Sequence, residues 1–158
     1  MKKKTAAVFS MIIGSVAGSA ASMTLLGRKA QQKAKKVDKF KGYYNMLNQW
    51  LMIKQEGKTL EEYFINNGYK TIAIYGMGEM GNRLYDELKD SSIQIKYAVD
   101  ENAAGTYSDI EVIDKDEEYM DVDVIVVTAT FAFDDIEEEL QKKVTFPIIS
   151  LDDVVYEM

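Results

Sequence analysis

A cluster of three glycines directly after an apolar run has the residue types and spacing of a phosphate-binding turn. The glycines follow the pattern Gly-x-Gly-x-x-Gly, and the residues predicted to line the turn are Gly76, Met77, Gly78, Glu79, Met80 and Gly81. The first glycine would form a tight turn, the second would let a pyrophosphate approach the backbone, and the third would let a helix pack closely on a strand. Free N–H groups at the start of that helix would face the phosphates.

An acid lies at the distance at which a dinucleotide site needs one. Residues 93–100 alternate in polarity, turn apolar and end in Asp100, 24 residues after Gly76. An acid at the end of a second strand accepts hydrogen bonds from ribose hydroxyls and disfavours a 2′-phosphate, so Asp100 favours NAD over NADP. The alternative is that Asp100 only caps its own loop.

Thr128 and Thr130 complete the predicted binding site. Thr128 ends the predicted strand Val122 to Thr128, and Thr130 follows two residues later. Ligands of open α/β sheets bind at the carboxyl ends of strands. Glu79 opposes the prediction, because a carboxylate inside a phosphate turn repels the ligand unless it points outward. The ligand classes consistent with the motif are NAD and nucleotide-sugars.

The elements that must position these residues are those of a parallel α/β sheet. Thr71 to Tyr75 is apolar and β-branched, as buried parallel strands are. Further strands are predicted at 93–100, Ile110 to Ile113, Val122 to Thr128 and the segment opened by Pro147. We therefore predict a single Rossmann-like, doubly wound sheet of about five strands in the order 3-2-1-4-5, occupying residues 69–158.

A basic neck and a helical lead-in are predicted for residues 28–68. Apolar positions recur at steps of three and four and predict one buried helix face, with Trp50 as a packing anchor. These positions are Tyr43, Tyr44, Leu47, Trp50, Leu51 and the apolar stem of Lys54. A capping box at Thr59 and Glu62 would open a second helix, and Gly68 would end it. Similar helix starts are predicted at Asp134 with Glu137 and at Ser150 with Asp153.

Residues 1–27 are predicted to anchor the chain in a membrane. Residues 5–27 carry no charge, and as a helix they would be roughly 34 Å long, enough for a hydrocarbon core of about 30 Å. The alternative is a signal peptide cleaved near Ser19 to Ala21, which would make the chain secreted. The denser basic cluster follows the span, so the positive-inside rule places the globular part in the cytoplasm.

Small residues recur every fourth position within the predicted span, at Ser10, Gly14, Gly18 and Ser22. This spacing lines one helix face and allows close helix–helix contact, so a homodimer or a partner membrane enzyme is one interpretation. The other is an anchor without a partner.

Charge and composition exclude several function classes. Residues 1–41 hold ten Lys or Arg and one acid, for a net charge of +9, whereas the remaining residues hold nine and 25, for −16. The acidic part repels nucleic acid, and the basic neck is attracted to anionic lipid. The chain has no histidine and no cysteine, which removes imidazole bases, thiolate nucleophiles and His- or Cys-based metal sites.

The segments YGMGEMGNRLYDEL, YAVD and DVIVVTAT resemble small Rossmann-type domains of bacterial surface-polysaccharide systems, such as the N-terminal sugar-nucleotide-binding domain of sugar O-acetyltransferases. The resemblance covers about residues 43–158. It implies that Gly76, Gly78 and Gly81 form the phosphate turn and that Asp100 contacts the ribose. Those acetyltransferases carry out their chemistry in another domain, so the resemblance implies no catalytic residue.

Three functions are consistent with these features. The first is a membrane-tethered, non-catalytic nucleotide or nucleotide-sugar binding module that is accessory to polysaccharide biosynthesis. The second is a scaffold whose Rossmann pocket is empty. The third is a reduced NAD-dependent oxidoreductase, whose base would have to be a tyrosine or a lysine.

Overall fold

The computed structural model describes residues 31–158. The predicted membrane span at 5–27, with its stripe of small residues, lies outside the described residues. Among residues 31–158, no helix combines the length and the apolar character needed to cross a membrane. The chain divides into two units, Met1–Tyr43 and Tyr44–Met158. In the first unit, the described residues 31–43 are helical.

From residue 60 onward helices and strands alternate, except that the second, third and fourth strands follow one another without an α-helix between them. The helices are α1 (residues 31–55), α2 (Leu60–Asn66), α3 (Glu79–Leu88), α4 (Phe133–Leu140) and α5 (Leu151–Tyr156). The strands are β1 (Thr71–Tyr75), β2 (Gln94–Val99), β3 (Val112–Ile113), β4 (Val124–Val127) and β5 (Ile148–Ser150), and short 3₁₀ turns occupy Ala103–Gly105 and Thr130–Ala132.

The five strands form one parallel sheet in the order β3-β2-β1-β4-β5, so the predicted α/β class, strand number and order are confirmed. The chain moves from β1 outward through β2 to β3, and then returns to the other side of β1 to form β4. The crevice between the carboxyl ends of β1 and β4 is therefore the topological switch point, where open α/β sheets bind ligands.

The centre of the sheet is covered on both faces. Every residue of β4 is buried, which explains its unbroken apolar run. One face carries a core cluster that includes Tyr75, Tyr97 and Leu140 of α4. Successive side chains of a strand point to opposite faces, so Ile74 faces away from this cluster and lies close to Gly81 of α3.

The outer strand β3 is shorter than predicted, with two residues instead of the four from Ile110 to Ile113. No α-helix occurs in the described connections on either side of it, residues 100–111 and 114–123. An aromatic contact covers the sheet there instead: the rings of Tyr97 and Tyr119 pack edge to face with centroids 6.5 Å apart. The predicted doubly wound arrangement therefore lacks α-helices in the connections before and after β3.

The buried face of α1 differs from the predicted one. Met46, Trp50 and Ile53 are buried, whereas Tyr44 and Leu51 of the predicted face are 70% and 55% exposed. Both sets have the spacing of a helix face, so periodicity alone could not choose between them. Trp50 is a packing anchor, as predicted, and its Nε1–H also donates to Glu87 Oε2 at 2.6 Å.

Two predicted capping boxes are wrong. Thr59 is the N-cap residue of α2, but its side chain makes no capping bond, and Glu87 Oε1 instead accepts from the Leu60 N–H at 2.9 Å. Helix α4 begins at Phe133 after Ala132, so Asp134 lies inside its first turn. Ser150 does cap α5, and Gly68 ends α2 with a left-handed φ of 78°, both as predicted.

Candidate functional site

The first glycine of the turn is required by the fold itself. Gly76 has a φ of 96°, a conformation that strongly favours glycine. Its N–H donates to Val99 O at 2.7 Å. A Cβ at this position would lie 2.9 Å from Thr128 Oγ1. Gly76 thus makes the predicted tight turn out of β1 whether or not a ligand binds.

The third glycine is required by helix packing. A Cβ on Gly81 would overlap the carbonyl oxygen of Gly76 and lie 3.5 Å from Ile74 Cγ2. Helix α3 can therefore approach the end of β1 only because residue 81 has no side chain. The predicted role of Gly81 in close helix–strand contact matches this geometry.

The second glycine has no such internal explanation. Within the described part of the chain, no atom lies within 4 Å of the position of a Cβ on Gly78, and its φ of −72° is open to other residues. Gly78 is the N-cap of α3, and no side-chain cap forms there. The turn is therefore open at the position where the motif predicts close approach of a phosphate.

Asn82 is a positioning residue that the sequence reasoning missed. Its Nδ2 donates to Met77 O at 3.0 Å and to Gly78 O at 2.9 Å. These bonds tie down the two carbonyl groups of the turn. The available signal was an asparagine in a helix directly after Gly81, because asparagine is a poor helix former unless its amide has a local partner.

Asp100 lies beside the glycine turn, directly after β2 as predicted, but its hydrogen bonds are made to the backbone. Its Oδ2 accepts from the Met77 N–H at 2.8 Å, and its Oδ1 accepts from the Asn102 N–H at 2.9 Å. These contacts fit the alternative interpretation, in which Asp100 caps its own loop. Each carboxylate oxygen can still accept a second hydrogen bond, so a ribose hydroxyl and the backbone are compatible partners.

Glu79 is exposed and is the first residue of α3. A carboxylate in the first turn of a helix interacts favourably with the helix dipole. The fold therefore gives Glu79 a stabilising role that needs no ligand. The same charge weakens the attraction of that helix end for an anion.

Thr128 acts as an internal brace of the turn. Its side chain is buried, and Oγ1 lies 2.6 Å from Gly76 O and 3.2 Å from Tyr75 O. A hydroxyl has one proton to donate, and both neighbours are carbonyl acceptors. To donate to a ligand, as predicted, the Thr128 hydroxyl would have to give up its hydrogen bond to Gly76 O, which fixes the start of the glycine turn.

Replacing this hydroxyl tests the brace. Thr128→Val keeps the shape but leaves a partly buried carbonyl without its donor, so we expect the free energy of unfolding to fall by about 1–2 kcal/mol. Thr128→Ser, which keeps the hydroxyl, is the matched variant. Urea unfolding of both proteins provides the measurement, and equal stability of the valine variant and the original protein would contradict the assignment.

Thr130 lies just after the carboxyl end of β4. There it interacts with Asp152, an acid that is not among the predicted site residues. Thr130 begins a 3₁₀ turn after β4 and donates a hydrogen bond to the partly buried Asp152 of α5. Burial raises the pKa of the Asp152 carboxyl, and the bond from Thr130 partly offsets this effect. The sequence could not indicate that Asp152 is partly buried, because two consecutive aspartates in a short helix do not reveal which one faces the protein.

The raised pKa of Asp152 predicts a pH dependence. Above its folded pKa, Asp152 is ionised in the folded and in the unfolded protein, and burial of the charge destabilises the fold. Below its unfolded pKa, Asp152 is protonated in both states, and this destabilisation is absent. Asp152→Asn should therefore stabilise the protein at pH 7, and the gain should disappear as the pH falls toward 3. The exposed Asp153→Asn controls for lost helix-end charge. A gain that is constant from pH 7 to pH 3 would contradict this prediction.

Two surface depressions flank different edges of the sheet. One of about 140 Å³ is lined by Thr130, Phe131, Ala132, Phe133, Asp134 and Asp135. The other, of about 340 Å³, includes Ser92, Ile93 and Gln94 at the start of β2. The second lies at the amino-terminal edge, away from the carboxyl edge where sheets of this order bind ligands. The glycine turn and the strand ends therefore remain the candidate site.

The core of this site lies inside a recognised sequence family. Residues 68–147 match the family described as C2185-like, N-terminal, and this region is half of the chain. The chain belongs to that family. Neither a comparison with curated proteins nor one with solved structures found a significant match. The C2185-like region runs from Gly68 to Pro147, so it contains the glycine turn, Asp100 and both threonines but not Asp152.

Three buried tyrosines of the C2185-like region, Tyr75, Tyr97 and Tyr119, lack the lowered pKa that a catalytic base needs. Burial raises the pKa of Tyr75 and Tyr119, and it raises the pKa of Tyr97 to about 12. Proton abstraction near neutral pH needs a lowered value. The spacing Tyr-x-x-x-Lys does occur at Tyr85 and Lys89, but this pair lies at the end of α3 that is remote from the glycine turn, and Lys89 Nζ is bound to Asp86 at 2.9 Å.

The structure thus brings together most of the predicted site residues. The turn residues and Asp100 are joined by hydrogen bonds, and Thr128 joins them through Gly76. Thr130 is directed to Asp152 instead. Met77 and Met80 are both buried, so any contact with a ligand would come from their backbone.

Proposed function

We propose that the chain is a membrane-tethered, non-catalytic module that binds a nucleotide or a nucleotide-sugar at the glycine turn and is accessory to cell-surface polysaccharide biosynthesis. The uncharged residues 5–27 support the tether. The resemblance to domains of surface-polysaccharide systems supports the cellular role. The strand order, with its switch point beside the glycine turn, supports the Rossmann-like binding mode.

The observation that carries the proposal is the open space at Gly78. Internal sterics and backbone conformation explain the other two glycines, but they leave this one unexplained. A ligand that approaches the backbone closely accounts for it. The start of α3 offers N–H groups without a side-chain cap, and such groups bind phosphate oxygens.

Asp100 limits which part of a ligand can lie beside it. A phosphate next to this carboxylate would be repelled, whereas a sugar hydroxyl would donate to it. The ligand must therefore place phosphate at the start of α3 and a hydroxyl-bearing ring at Asp100. NAD and nucleotide-sugars both contain these groups at neighbouring positions.

Blocking the open space tests the proposal. In thermal-shift measurements with NAD and a panel of UDP-sugars on the detergent-solubilised chain, a ligand at 100 times its Kd should add about 2.7 kcal/mol of stability. Gly78→Leu should abolish this stabilisation, because its side chain would occupy the phosphate position, and its Cβ meets no atom of the described structure within 4 Å. Gly42→Leu is the matched control at an uncrowded glycine elsewhere, and it should retain the ligand response.

The second candidate function is a scaffold with an unused pocket. Asp100 already accepts the Met77 N–H, and Glu79 places a negative charge at the start of α3; both reduce the affinity of the turn for an anion. The same experiment separates the two functions. The absence of stabilisation by every ligand of the panel would overturn the binding proposal and favour the scaffold.

A further inference from the structure

Residues 31–43 combine exposed apolar side chains with exposed lysines in one helical segment. Val37 and Phe40 are 64% and 69% exposed. They are three residues apart, so they share one face of the helix. Together they form a small exposed apolar strip within a segment that is otherwise rich in lysine.

The lysines border this apolar pair on both sides. Lys33 and Lys41 lie four residues before and after Val37, and Lys36 lies four residues before Phe40. Side chains at this spacing are neighbours on a helix surface. All three lysines are exposed, and their long stems can lie along an apolar surface while the ammonium groups stay in water.

The single acid of this segment lies away from the apolar pair. At about 100° of rotation per residue, Asp38 is turned by about 100° from Val37 and by about 200° from Phe40. Residues 31–43 contain five lysines in total against this one acid. Lys36 and Lys41 therefore flank the apolar pair on its two sides, and Lys33 lies on the same face one turn before Val37.

We propose that this face of residues 31–43 is an interfacial helix that lies on the surface of an anionic lipid bilayer, with Val37 and Phe40 inserted among the acyl chains. Charge complementarity selects the bilayer as the occupant, since two copies of the face would bring their lysines together. Basic amphipathic helices bind anionic membranes in this way. The inference extends the proposed membrane tether and is independent of nucleotide binding.

The absence of native cysteines allows a clean test with an environment-sensitive fluorophore on Val37→Cys. The full chain is reconstituted into vesicles of phosphatidylcholine alone or with 30% phosphatidylglycerol. We expect a blue-shifted emission and quenching by nitroxide-labelled lipid in the anionic vesicles, and reversal of both by high salt. The same label on Tyr107→Cys, a position that is 93% exposed, should show neither change.

Removing the bordering charges sharpens the test. Lys36→Gln with Lys41→Gln should lower the partition of the segment into anionic vesicles by about 25-fold, at roughly fivefold for each lysine. Lys70→Gln with Lys142→Gln removes the same charge elsewhere and should leave the label unchanged. An equal effect of the two double variants would overturn the proposal.

The remaining outcomes separate the interfacial helix from the tether. Flotation with pure phosphatidylcholine vesicles reports on the anchor alone. A chain that floats with these vesicles but shows no effect of anionic lipid at position 37 overturns the interfacial helix and leaves the tether intact. Salt-sensitive binding to anionic vesicles without flotation on neutral ones supports the helix and contradicts the tether. A blue shift that depends on protein density and not on lipid charge identifies a second copy as the occupant and overturns the proposal.

Discussion

Gly81→Ala is expected to lower the free energy of unfolding by about 2–3 kcal/mol, even though alanine is the better helix former. Alanine gains about 1 kcal/mol in a helix relative to glycine. The added methyl group, however, overlaps the Gly76 carbonyl oxygen, a backbone atom, and lies 3.1 Å from the Gly76 carbonyl carbon. Forcing a group into a packed contact typically costs about 1–3 kcal/mol and occasionally more. Because the overlapped atom is backbone, we expect a cost of about 3–4 kcal/mol, which exceeds the gain by about 2–3 kcal/mol.

The cost of this substitution extends beyond the local clash. Gly76 O is also the acceptor of Thr128 Oγ1 at 2.6 Å, so displacing it loosens the brace of the glycine turn. Thermal unfolding should show a melting temperature lowered by about 5–10 °C. Gly78→Ala, three residues earlier in the same turn, meets no atom within 4 Å in the described structure and should cost no more than about 1 kcal/mol, as a change of N-cap residue.

The comparison between the two alanine variants also tests the interpretation of the motif. If Gly81→Ala and Gly78→Ala had equal effects on stability, the packing role of Gly81 would be wrong. If Gly78→Ala were the more destabilising, the open space above the turn would not exist. The pair thus separates a glycine kept for packing from a glycine kept for access.

The strands and their order could be predicted because their signals are local and strong. Residues 72–75 and 124–127 are unbroken apolar runs, and a parallel sheet buried on both faces produces such runs. The glycine turn after β1 requires a strand before it and a helix after it. The rule that crossovers are right-handed then leaves few arrangements of five strands. No long-range contact was needed to reach this order.

The packing of α1 could not be predicted because two candidate stripes compete within one helix. Trp50 has helical spacing both with Leu47 and Leu51 and with Met46 and Ile53. The structure buries Trp50 with Met46 and Ile53. The buried face is set by packing against residues distant in the chain, such as Glu87 of α3, which accepts from the Trp50 N–H across 37 positions. Periodicity carries no information about such a partner.

The candidate site was predicted in position but not in detail. The location of Asp100 followed from the length of β2. Its bond to the Met77 N–H depends on the carboxyl ends of β1 and β2 meeting at the same edge of the sheet. Asp152 was missed because its burial arises from the packing of α5, and a short segment with two consecutive aspartates gives no sign of which one is buried.

Glu87→Ala is the substitution with the second large expected effect. The Glu87 side chain is only 6% exposed, and it forms an ion pair with Lys54 at 3.1 Å. Its two oxygens also accept from Trp50 Nε1 at 2.6 Å and from the Leu60 N–H at 2.9 Å. This one carboxylate therefore connects α3 with α1 and with the start of α2.

Alanine at position 87 leaves two donors without acceptors and a cation without its partner. Lys54 is 45% exposed and can turn toward water, so losing the ion pair itself costs little. Each part-buried donor left without an acceptor costs about 1–3 kcal/mol, and we therefore expect a loss of about 3 kcal/mol from the two. Glu138→Ala, which removes a surface carboxylate paired with Lys142, should cost about 0.5 kcal/mol or less.

Glu87→Gln distinguishes charge from hydrogen bonding at this position. The amide oxygen can accept from one donor, but the amide nitrogen must then face the other donor, so the variant should lie between alanine and the original protein. Urea unfolding followed by the fluorescence of Trp50, the sole tryptophan, reports stability and the loosening of α1 together. A Glu87→Ala variant no less stable than Glu138→Ala would contradict the role of Glu87. Glu87 lies inside the family region 68–147, whereas Trp50 and Leu60 lie before it. The expected loss of stability therefore measures the contribution of the contacts that Glu87 makes with Trp50 and Leu60.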